Sequence, residues 1–578
     1  MALEDRRREC LYIAVLVVVC GLVFFLFLGR TPFHDKGEPR EALVVRDIVL
    51  NGNWLFPLKM GEQIPSKPPL FHWAGAITAI VWGEMNEATV RFPSALFASL
   101  GVLLLYYLAN KMFDSTTGLI AGVMLATSAV YHSAGVQARV DMTLTFWTLL
   151  TLILFYGIYK GWLRNSIWWY LFFLIAGVSV MAKGPVSLIL CAAIVALFLV
   201  VKRRWEWFGK FACHPGVILG LVACSLWYGA ALYQGGSQFF GLQFVKENLA
   251  RFFVHGEGGT GHQKPFYYFL PYLFTLGLPW TVFLPLVLWS FLREKCWGDD
   301  RWLFLGIWAG VVFVFFSLSA GKRPPYILPL YPAIMLLTAA WLRRTDGLTS
   351  AGAIYVRMVG WAAALIGGVL FLLGLVLWLG FDLSAALPYL RDRLKPTVAA
   401  ELQLVQDVLR ASGWICPVGL VAAAAFWLMS GRNLTRYNTR AAVWQFACAS
   451  ILTIAFVQGA LLPGVANAQS YREFVQTAKE RVSGPLLLYD DGVDYSSVFF
   501  YAGERVKLLR GDDNSLRSWL EDAGHCVVIG DRQWRQLKDQ TPGSFSVLLR
   551  SHGTGPDGDN PLVLIQGKTN EQETGKCR

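Results

Sequence analysis

The segment Leu11–Leu28, LYIAVLVVVCGLVFFLFL, runs for eighteen residues without a charge. About 20 apolar residues in a helix are needed to cross the hydrocarbon core of a bilayer. Arg6, Arg7 and Arg8 precede the segment, as in a signal peptide. The apolar run is longer than the roughly 7–15 residues of a signal-peptide core, however, and no small-residue cleavage site follows it. The segment therefore predicts a retained first transmembrane helix.

Apolar runs of similar length recur along most of the chain. Of its 578 residues, 55% are hydrophobic and only 16% are charged, whereas soluble domains carry about 25% charged residues. Leu70–Gly83 is apolar but too short to cross, so we expect it to be interfacial or re-entrant. We predict a polytopic α-helical membrane protein with about 13 transmembrane helices. They lie near residues 11–29, 89–110, 117–134, 142–159, 167–181, 184–201, 215–233, 268–291, 302–319, 326–342, 354–380, 413–430 and 441–463.

The short loops between these segments predict the orientation. With the N-terminus in the cytoplasm, every inner loop contains lysine or arginine, as the positive-inside rule requires. This pattern accounts for the net charge of +12, which therefore does not indicate nucleic-acid binding. An odd number of spans then places the C-terminal segment outside. The inner-loop cations are Lys111, Lys160, Arg164, Lys202, Arg203, Arg204, Lys210, Arg293, Lys295, Arg301, Arg343, Arg344, Arg357, Arg432, Arg436 and Arg440.

The chain changes character after the last predicted span. Short apolar runs such as Cys526–Ile529 alternate with helix-like stretches, a pattern typical of a layered α/β domain. We therefore predict a transmembrane catalytic domain at residues 1–465 and a soluble periplasmic α/β domain at residues 466–578. The second domain contains no nucleophile elbow, P-loop or metal motif, so we interpret it as structural or partner-contacting. Cys526 and Cys577 can pair there if the compartment is oxidising.

The outer loops carry charges that the positive-inside rule does not explain. Two of these loops are long, a first periplasmic loop at residues 30–88 and a later one at residues 234–267. Charged groups at a membrane boundary are costly unless paired, so their recurrence on one side indicates a functional site. The segments that contain them are HDKGEPREA (34–42), IPSKPPLFHW (64–73), ARVDMTL (138–144), MAKGP (181–185), ENLARFFVHG (247–256), GHQKPFYYF (261–269) and SAGKRPPYILPLYPA (319–333).

These residue types suit a ligand with a phosphate and a sugar. Arginine offers a planar fork to phosphate and lysine a compact charge, while carboxylates orient hydroxyls, act as a base or stabilise positive charge. We predict catalytic roles for Glu38, Asp141 and Asp35. Taken singly, each residue also has a structural interpretation, as a headgroup anchor or, for Asp141, a helix N-cap. Further substrate-binding candidates are Lys183, His262, Lys264, Lys322 and Arg323.

In combination, these motifs resemble the bacterial aminoarabinose transferases of lipid A, which belong with the GT-C glycosyltransferases and the protein O-mannosyltransferases. The matching motifs are E-P-R, K-P-P-L about 27 residues after that arginine, V-D-M-T-L, K-G-P, N-L-x-R-F and K-x-P-x-Y-I-L-P. They cover roughly residues 10–345, and their combined order is more specific than any single motif.

The resemblance implies transfer of 4-amino-4-deoxy-L-arabinose from undecaprenyl phosphate to a lipid A phosphate. It implies a bacterial inner-membrane protein of GT-C type whose active site faces the periplasm. It matches Asp141 to the aspartate of the family's second outer loop. Its donor phosphate-binding positions correspond to Arg40, Lys67, Arg251 and Tyr326.

The chain departs from the family pattern at three positions. Gly37 stands where the family has an aspartate that is a leading acid–base candidate, Ser66 stands where a glutamate is usual, and Lys246 stands where a histidine is usual. The last two changes remove metal ligands, so we predict no bound zinc and leave open whether a divalent cation assists. The loss of the aspartate leaves the donor sugar open.

Two other functions fit parts of the pattern. The chain can transfer another polyprenyl-phosphate-linked sugar, such as a hexosamine or hexuronic acid, to lipid A, a glycan or a protein. A transporter or flippase is a more distant alternative, because transporters place charged sites near the membrane midplane and often have repeated halves. Here the charges cluster at one face and the halves do not match.

Overall fold

The computed structural model describes residues 2–254, 263–344, 350–380, 396–411, 413–510, 516, 519–520, 525–540, 545–552 and 561–567. These residues form a bundle of apolar helices followed by a smaller domain built on one β-sheet. Helices are the expected element, because inside hydrocarbon each backbone N–H and C=O must be satisfied within the protein.

Nine helices in the described part of the chain are long and apolar enough to cross a membrane. The count rises to eleven when each of two sharply bent helix pairs is taken as one crossing. The nine are Glu4–Phe25, Glu87–Met112, Val140–Tyr159, Gly216–Phe253, Asp300–Leu318, Pro324–Leu342, Ser350–Trp378, Ile415–Thr435 and Thr439–Gln469. The bent pairs are Ser115–Thr127 with Ala129–Gly135, at 68°, and Phe266–Thr275 with Trp280–Arg293, at 106°.

Each segment predicted to cross the membrane coincides with a helix or a bent pair, so the prediction of a polytopic helical membrane protein is confirmed. The predicted count of thirteen includes Ile167–Lys183 and Val186–Val201, which are 17 and 16 residues long. Both are shorter than the roughly 20 residues of an upright span, and the exact count stays a prediction. The helix Leu70–Trp82 has 13 residues, as expected of a segment too short to cross. Other helices outside these spans are Gly37–Asn51, Glu206–Cys213 and Pro396–Ala411.

Helices Ile167–Lys183 and Gly216–Phe240 approach each other closely. A Cβ atom on Gly177 would lie 2.2 Å from the carbonyl oxygen of Gly220, so glycine is required at this crossing. Small residues permit such contacts in a bilayer, where packing holds helices together. The crossing fixes Lys183, at the end of the first helix, relative to the second helix and its continuation.

The two ends of the bundle differ in their charges. At one end, Lys160 and Lys202 pair with the same carboxylate, that of Asp300, at 2.5 and 2.6 Å. These residues come from three separate loops that the sequence predicts to be inner. Asp141 lies in the first turn of the helix Val140–Tyr159, which ends just before Lys160. Asp141 therefore lies at the opposite end of the bundle from Lys160.

The C-terminal domain contains a five-stranded mixed sheet of order β2-β1-β3-β5-β4. β1 pairs in parallel with β2 and β3, whereas β5 pairs antiparallel with β3 and β4. The helices Arg472–Arg481, Ser496–Ala502 and Asp531–Gln540 alternate with the strands along the chain, as the pattern of short apolar runs indicates. The strands are β1 at Leu486–Tyr489, β2 at Val506–Leu509, β3 at Cys526–Gly530, β4 at Phe545–Arg550 and β5 at Leu562–Gly567.

This domain docks on the first long loop and on the helix that follows it. Tyr501 is the main contact, because its hydroxyl accepts a hydrogen bond from the backbone N–H of Phe33 at 2.7 Å and donates one to Glu87 at 2.9 Å. Arg46 donates to the backbone carbonyl oxygens of Phe499 and Phe500, each at 2.6 Å. The C-terminal domain therefore lies at the end of the bundle that carries Asp141.

Candidate functional site

Two adjoining cavities open at the end of the bundle where the C-terminal domain docks. One, of about 420 Å³, is lined mainly by apolar side chains that include Val186, Ile189, Phe244, Phe252, Phe315 and Phe316. The other, of about 580 Å³, is lined mainly by charged and polar groups. Five residues line both cavities and form what we call the shared wall: Lys67, Lys183, Glu247, Arg251 and Tyr326.

The shared wall is held together by Glu247. Its carboxylate accepts a hydrogen bond from Lys67 Nζ at 2.5 Å and pairs with the Arg251 guanidinium at 3.0 Å. Arg251 also donates to the hydroxyl of Tyr326 at 3.2 Å. Lys67 comes from the first long loop, whereas Glu247 and Arg251 lie one helical turn apart on the extension of the helix that begins at Gly216. The wall thus joins parts of the chain 180 residues apart.

Lys183 of the shared wall pairs with Asp141 of the polar cavity. The ammonium group of Lys183 lies 4.3 Å from the centre of the Tyr326 ring. A cation over an aromatic face is attracted by the ring quadrupole, so the pair and the ring fix one another. Asp141 lines the polar cavity only, and its carboxylate therefore faces the region beyond the shared wall.

The surroundings of Lys67 disfavour its positive charge. Burial, followed by the positive charges of Arg251 and Lys183, lowers its pKa from 10.5 to about 8, although Glu247 acts in the opposite direction. Burial disfavours the charged ammonium, and so does a like charge nearby. The positive charge of Lys67 is therefore sensitive to mildly alkaline pH.

Arg40 and Lys59 line the polar cavity away from the shared wall. Both pair with Asp494 of the C-terminal domain, Arg40 Nε at 2.5 Å and Lys59 Nζ at 3.5 Å. Arg40, predicted to bind the donor phosphate beside Lys67 and Arg251, instead lies in a separate cluster. The sequence does not indicate Asp494 as a site residue, because it lies 454 positions from Arg40 along the chain and their contact leaves no local pattern.

Glu38 does not line either cavity, and its predicted catalytic role is not supported by its position. Both carboxylate oxygens are engaged with Arg91, at 2.7 and 2.8 Å, and one also accepts from the backbone N–H of Ala138 at 2.8 Å. The side chains of Glu38 and Arg91 are 1% and 3% exposed. A buried carboxylate with these partners stabilises the arrangement of the loop and does not reach a substrate.

Asp35 likewise lines neither cavity. One oxygen accepts from the backbone N–H groups of Gly37 and Glu38, at 2.8 and 3.0 Å, and the other pairs with Arg139. Burial alone would raise the pKa of Asp35, but Arg139 and the two backbone donors lower it. Asp35 therefore binds the first N–H groups of the helix Gly37–Asn51, and its lowered pKa and occupied oxygens make it a weak base.

The guanidinium of Arg139 lies beside Gly37. A Cβ atom on Gly37 would lie 2.6 Å from one of its terminal nitrogens. That nitrogen is the end of a flexible side chain, so the contact does not by itself require glycine. Arg139 pairs with Asp35 and, unlike Gly37, adds a charge to the polar cavity.

The remaining substrate-binding candidates are three cations of the polar cavity and one histidine. Lys264, Lys322 and Arg323 line the polar cavity. The ammonium group of Lys322 is bound to the backbone oxygens of Ser319 and, at 3.0 Å, Lys264, so it ties together two loops, and burial lowers its pKa. His262 lies outside the described residues.

Besides Asp494, two acidic residues on the cavity wall were not identified from the sequence. Glu41 lines the polar cavity and its carboxylate lies 2.6 Å from Nε2 of His72, and Glu247 bridges Lys67 and Arg251. Glu41 directly follows Arg40 and Glu247 lies one helical turn before Arg251, so a search for acids near the candidate arginines would have found both. Among the described residues, no three His, Cys, Asp or Glu side chains gather in a metal-binding group.

The chain is similar to known proteins over nearly its whole length. Residues 66–228 match the family model described as dolichyl-phosphate-mannose-protein mannosyltransferase. An undecaprenyl phosphate-alpha-4-amino-4-deoxy-L-arabinose arabinosyl transferase of Pseudomonas aeruginosa PAO1 is 29% identical, over 94% of this chain and 93% of the relative. A protein of the same name from Enterobacter sp. strain 638 is 25% identical, over 84% of this chain and 83% of the relative.

A solved structure has the same fold. The crystal structure of ArnT from Cupriavidus metallidurans bound to undecaprenyl phosphate aligns with a TM-score of 0.73 at 18% sequence identity, over 96% of this chain and 99% of that chain. The fold and the relatives define a polytopic membrane glycosyltransferase of GT-C type. The resemblance to the aminoarabinose transferases is confirmed.

The position of Glu38 gives a first prediction. Glu38→Gln leaves the buried guanidinium of Arg91 without a counter-charge and is expected to destabilise the protein by about 3 kcal/mol. The melting temperature of the purified protein in detergent measures this. Glu62→Gln is the matched control, because Glu62 pairs with Arg510 at an exposed position where such a pair contributes little. Lost activity with an unchanged melting temperature would show instead that Glu38 is catalytic.

The lowered pKa of Lys67 gives a second prediction. Its ammonium loses a proton as the pH rises through about 8, so kcat/KM for the donor, which reports groups of the free enzyme, is expected to fall above that pH. Lys67→Arg keeps the charge at alkaline pH and should remove this fall. The same alkaline fall in Lys67→Arg would assign the titration to another group.

Proposed function

We propose that this chain transfers 4-amino-4-deoxy-L-arabinose from undecaprenyl phosphate to a phosphate of lipid A. The observation that carries the proposal is the shared wall. A polyprenyl-phosphate sugar consists of an apolar tail, an anionic phosphate and a polar sugar, in that order. The apolar cavity, the cationic shared wall and the polar cavity offer matching surfaces in the same order.

The donor phosphate is placed against Lys67, Arg251 and Lys183. Charged donors form the strongest hydrogen bonds to phosphate oxygens, and the hydroxyl of Tyr326 lies within 3.2 Å of Arg251. Glu247 keeps Lys67 and Arg251 together and offsets part of their mutual repulsion. The lipid tail then lies along Val186, Phe244 and Phe315.

The relatives support the identity of the donor. Their names give undecaprenyl phosphate as the carrier and 4-amino-4-deoxy-L-arabinose as the sugar. A solved structure of the same fold was obtained bound to undecaprenyl phosphate. The lipid A acceptor is part of the same proposal and comes from the resemblance of the motifs.

In the proposed reaction, an oxygen of the acceptor phosphate attacks the anomeric carbon of the sugar. The bond between that carbon and the donor phosphate oxygen breaks, and its electron pair stays on undecaprenyl phosphate. Lys67 and Arg251 stabilise the negative charge that builds there, an effect typically worth several kcal/mol. An ionised phosphate is already a nucleophile, so the step needs no general base.

Asp141 is the carboxylate that we assign to the sugar. It lines the polar cavity, its ion pair with Lys183 keeps it ionised, and an anion there stabilises positive charge on the anomeric carbon. This replaces the assignment to Glu38 or Asp35, whose oxygens are taken by Arg91 and Arg139. A hydroxyl acceptor would need a base as well, which makes a phosphate acceptor the better match to this wall.

We further propose that the N-terminus is cytoplasmic and that the site and the C-terminal domain, beginning near residue 466, face the periplasm of a bacterial inner membrane. The basic loops support this orientation, since Lys160 and Lys202 meet at the end of the bundle opposite Asp141. The disulfide bond of Cys526 also supports it, because disulfides persist in oxidising compartments such as the periplasm.

A third prediction concerns lipid A itself. Mass spectrometry of lipid A from cells with and without this gene is expected to show an added aminopentose on a phosphate only when the gene is present. Lys67→Ala and Arg251→Ala should each reduce this addition about a hundredfold. Lys246→Ala is the matched control, because this exposed neighbour of Glu247 lines neither cavity.

A hexosamine-sized addition would keep the enzyme class and replace the proposed sugar. Unmodified lipid A in the presence of active protein would contradict the proposed acceptor. Wild-type activity of Lys67→Ala and Arg251→Ala, with both variants inserted and folded, would contradict the assignment of the donor phosphate to the shared wall.

A further inference from the structure

The polar cavity has a second group of cations, separate from the shared wall. Arg40 and Lys59 both reach the carboxylate of Asp494, and all three residues line the polar cavity but not the apolar one. Lys59 and Asp494 are mostly buried, with side chains 15% and 21% exposed, whereas Arg40 is 44% exposed. The cluster therefore belongs to the polar cavity alone, whereas Lys67 and Arg251 also line the cavity proposed for the lipid tail.

The C-terminal domain holds Asp494 firmly in this place. One oxygen of Asp494 accepts from the backbone N–H of Ser496 at 3.0 Å and from its hydroxyl, while the other faces Arg40 and Lys59. The preceding residues are also fixed, because Asp491 accepts a hydrogen bond from the Tyr495 hydroxyl at 2.8 Å. Burial alone would raise the pKa of Asp494, but Ser496, Lys59 and Arg40 lower it.

We propose that Arg40 and Lys59 form the binding subsite for the acceptor phosphate, and that Asp494 of the C-terminal domain competes with that phosphate for the two cations. The inference rests on the proposed function, in which two phosphates meet one sugar. The shared wall has the cations for the donor phosphate. The attacking phosphate requires cations of its own in the polar cavity, and Arg40 and Lys59 line that cavity but not the apolar one.

The competition follows from charge. A carboxylate carries one negative charge, whereas a phosphate monoester carries about −1.5 to −2 near pH 7 and offers three acceptor oxygens. Arginine binds such a group through its planar fork and lysine through its compact charge. A phosphate therefore displaces Asp494 from the pair, while anions with a single charge do so less readily. The C-terminal domain thereby acts as a selectivity element for a doubly charged acceptor.

Arg40 thereby binds the acceptor phosphate and not the donor phosphate. Its motif places it among the donor phosphate ligands, yet its partner is Asp494 and not Glu247, which bridges Lys67 and Arg251. Two pairs of cations are thus held by different carboxylates, Lys67 with Arg251 by Glu247, and Arg40 with Lys59 by Asp494.

The experiment measures the binding of two lipids separately, lipid A and undecaprenyl phosphate, to the purified full-length protein in detergent. Lys59→Ala and Arg40→Ala are each expected to weaken lipid A binding about tenfold, as for loss of one charged hydrogen bond, and to leave undecaprenyl phosphate binding unchanged. Asp494→Asn should strengthen lipid A binding several-fold because the competing charge is gone. Dephosphorylated lipid A should bind wild type weakly and be insensitive to all three substitutions.

Arg510→Ala is the matched control. Arg510 also joins the C-terminal domain to the first long loop, through Glu62 at 2.6 Å, but it does not line the polar cavity. It should leave the binding of both lipids unchanged, and melting temperatures confirm that each variant is folded. Weaker lipid A binding in Arg510→Ala as well would assign the effect to domain docking and overturn the proposal.

Two further results overturn it. Equal binding of lipid A and its dephosphorylated form by wild type would show that the acceptor phosphate has no subsite. Loss of undecaprenyl phosphate binding in Lys59→Ala would place Arg40 and Lys59 with the donor. Failure of the proposed function is distinguishable, because wild type would then bind no undecaprenyl phosphate.

Discussion

The carboxylate of Glu247 lies between the ammonium group of Lys67 and the guanidinium of Arg251, at 2.5 and 3.0 Å. Charges beside hydrocarbon are costly unless paired, and these two cations form a wall of an apolar cavity. One anion between them makes their close approach tolerable and ties the first long loop to the extension of a membrane helix. In the proposed function, these two cations bind the phosphate of the donor lipid.

The same rule organises the surrounding structure. Three further cations near the cavities each pair with one carboxylate: Lys183 with Asp141, Arg91 with Glu38, and Arg139 with Asp35. Asp141 and Lys183 line the polar cavity, whereas the Glu38–Arg91 pair is buried and lines neither cavity. The buried pair holds the start of the helix Gly37–Asn51, on which Arg40 lies.

The sequence predicts the membrane helices well because hydrocarbon imposes a length and a composition that can be read locally. The side of the membrane on which charges gather is equally local information. The partner that a side chain meets is not local information: Glu38 and Arg40 stand two residues apart on the helix Gly37–Asn51, yet one is buried against Arg91 and the other pairs with Asp494. Lys59 and Asp494 were missed because their contact depends on how a separate domain docks.

We propose above all that the shared wall holds the phosphate of the donor lipid. An experimental structure of this protein with undecaprenyl phosphate tests it most directly. The phosphate is expected within hydrogen-bond distance of Lys67 and Arg251, with the polyprenyl chain along Val186, Phe244 and Phe315 and the polar cavity open beyond it. A phosphate bound at Arg40 and Lys59 instead, or a chain that leaves the apolar cavity empty, would contradict the account.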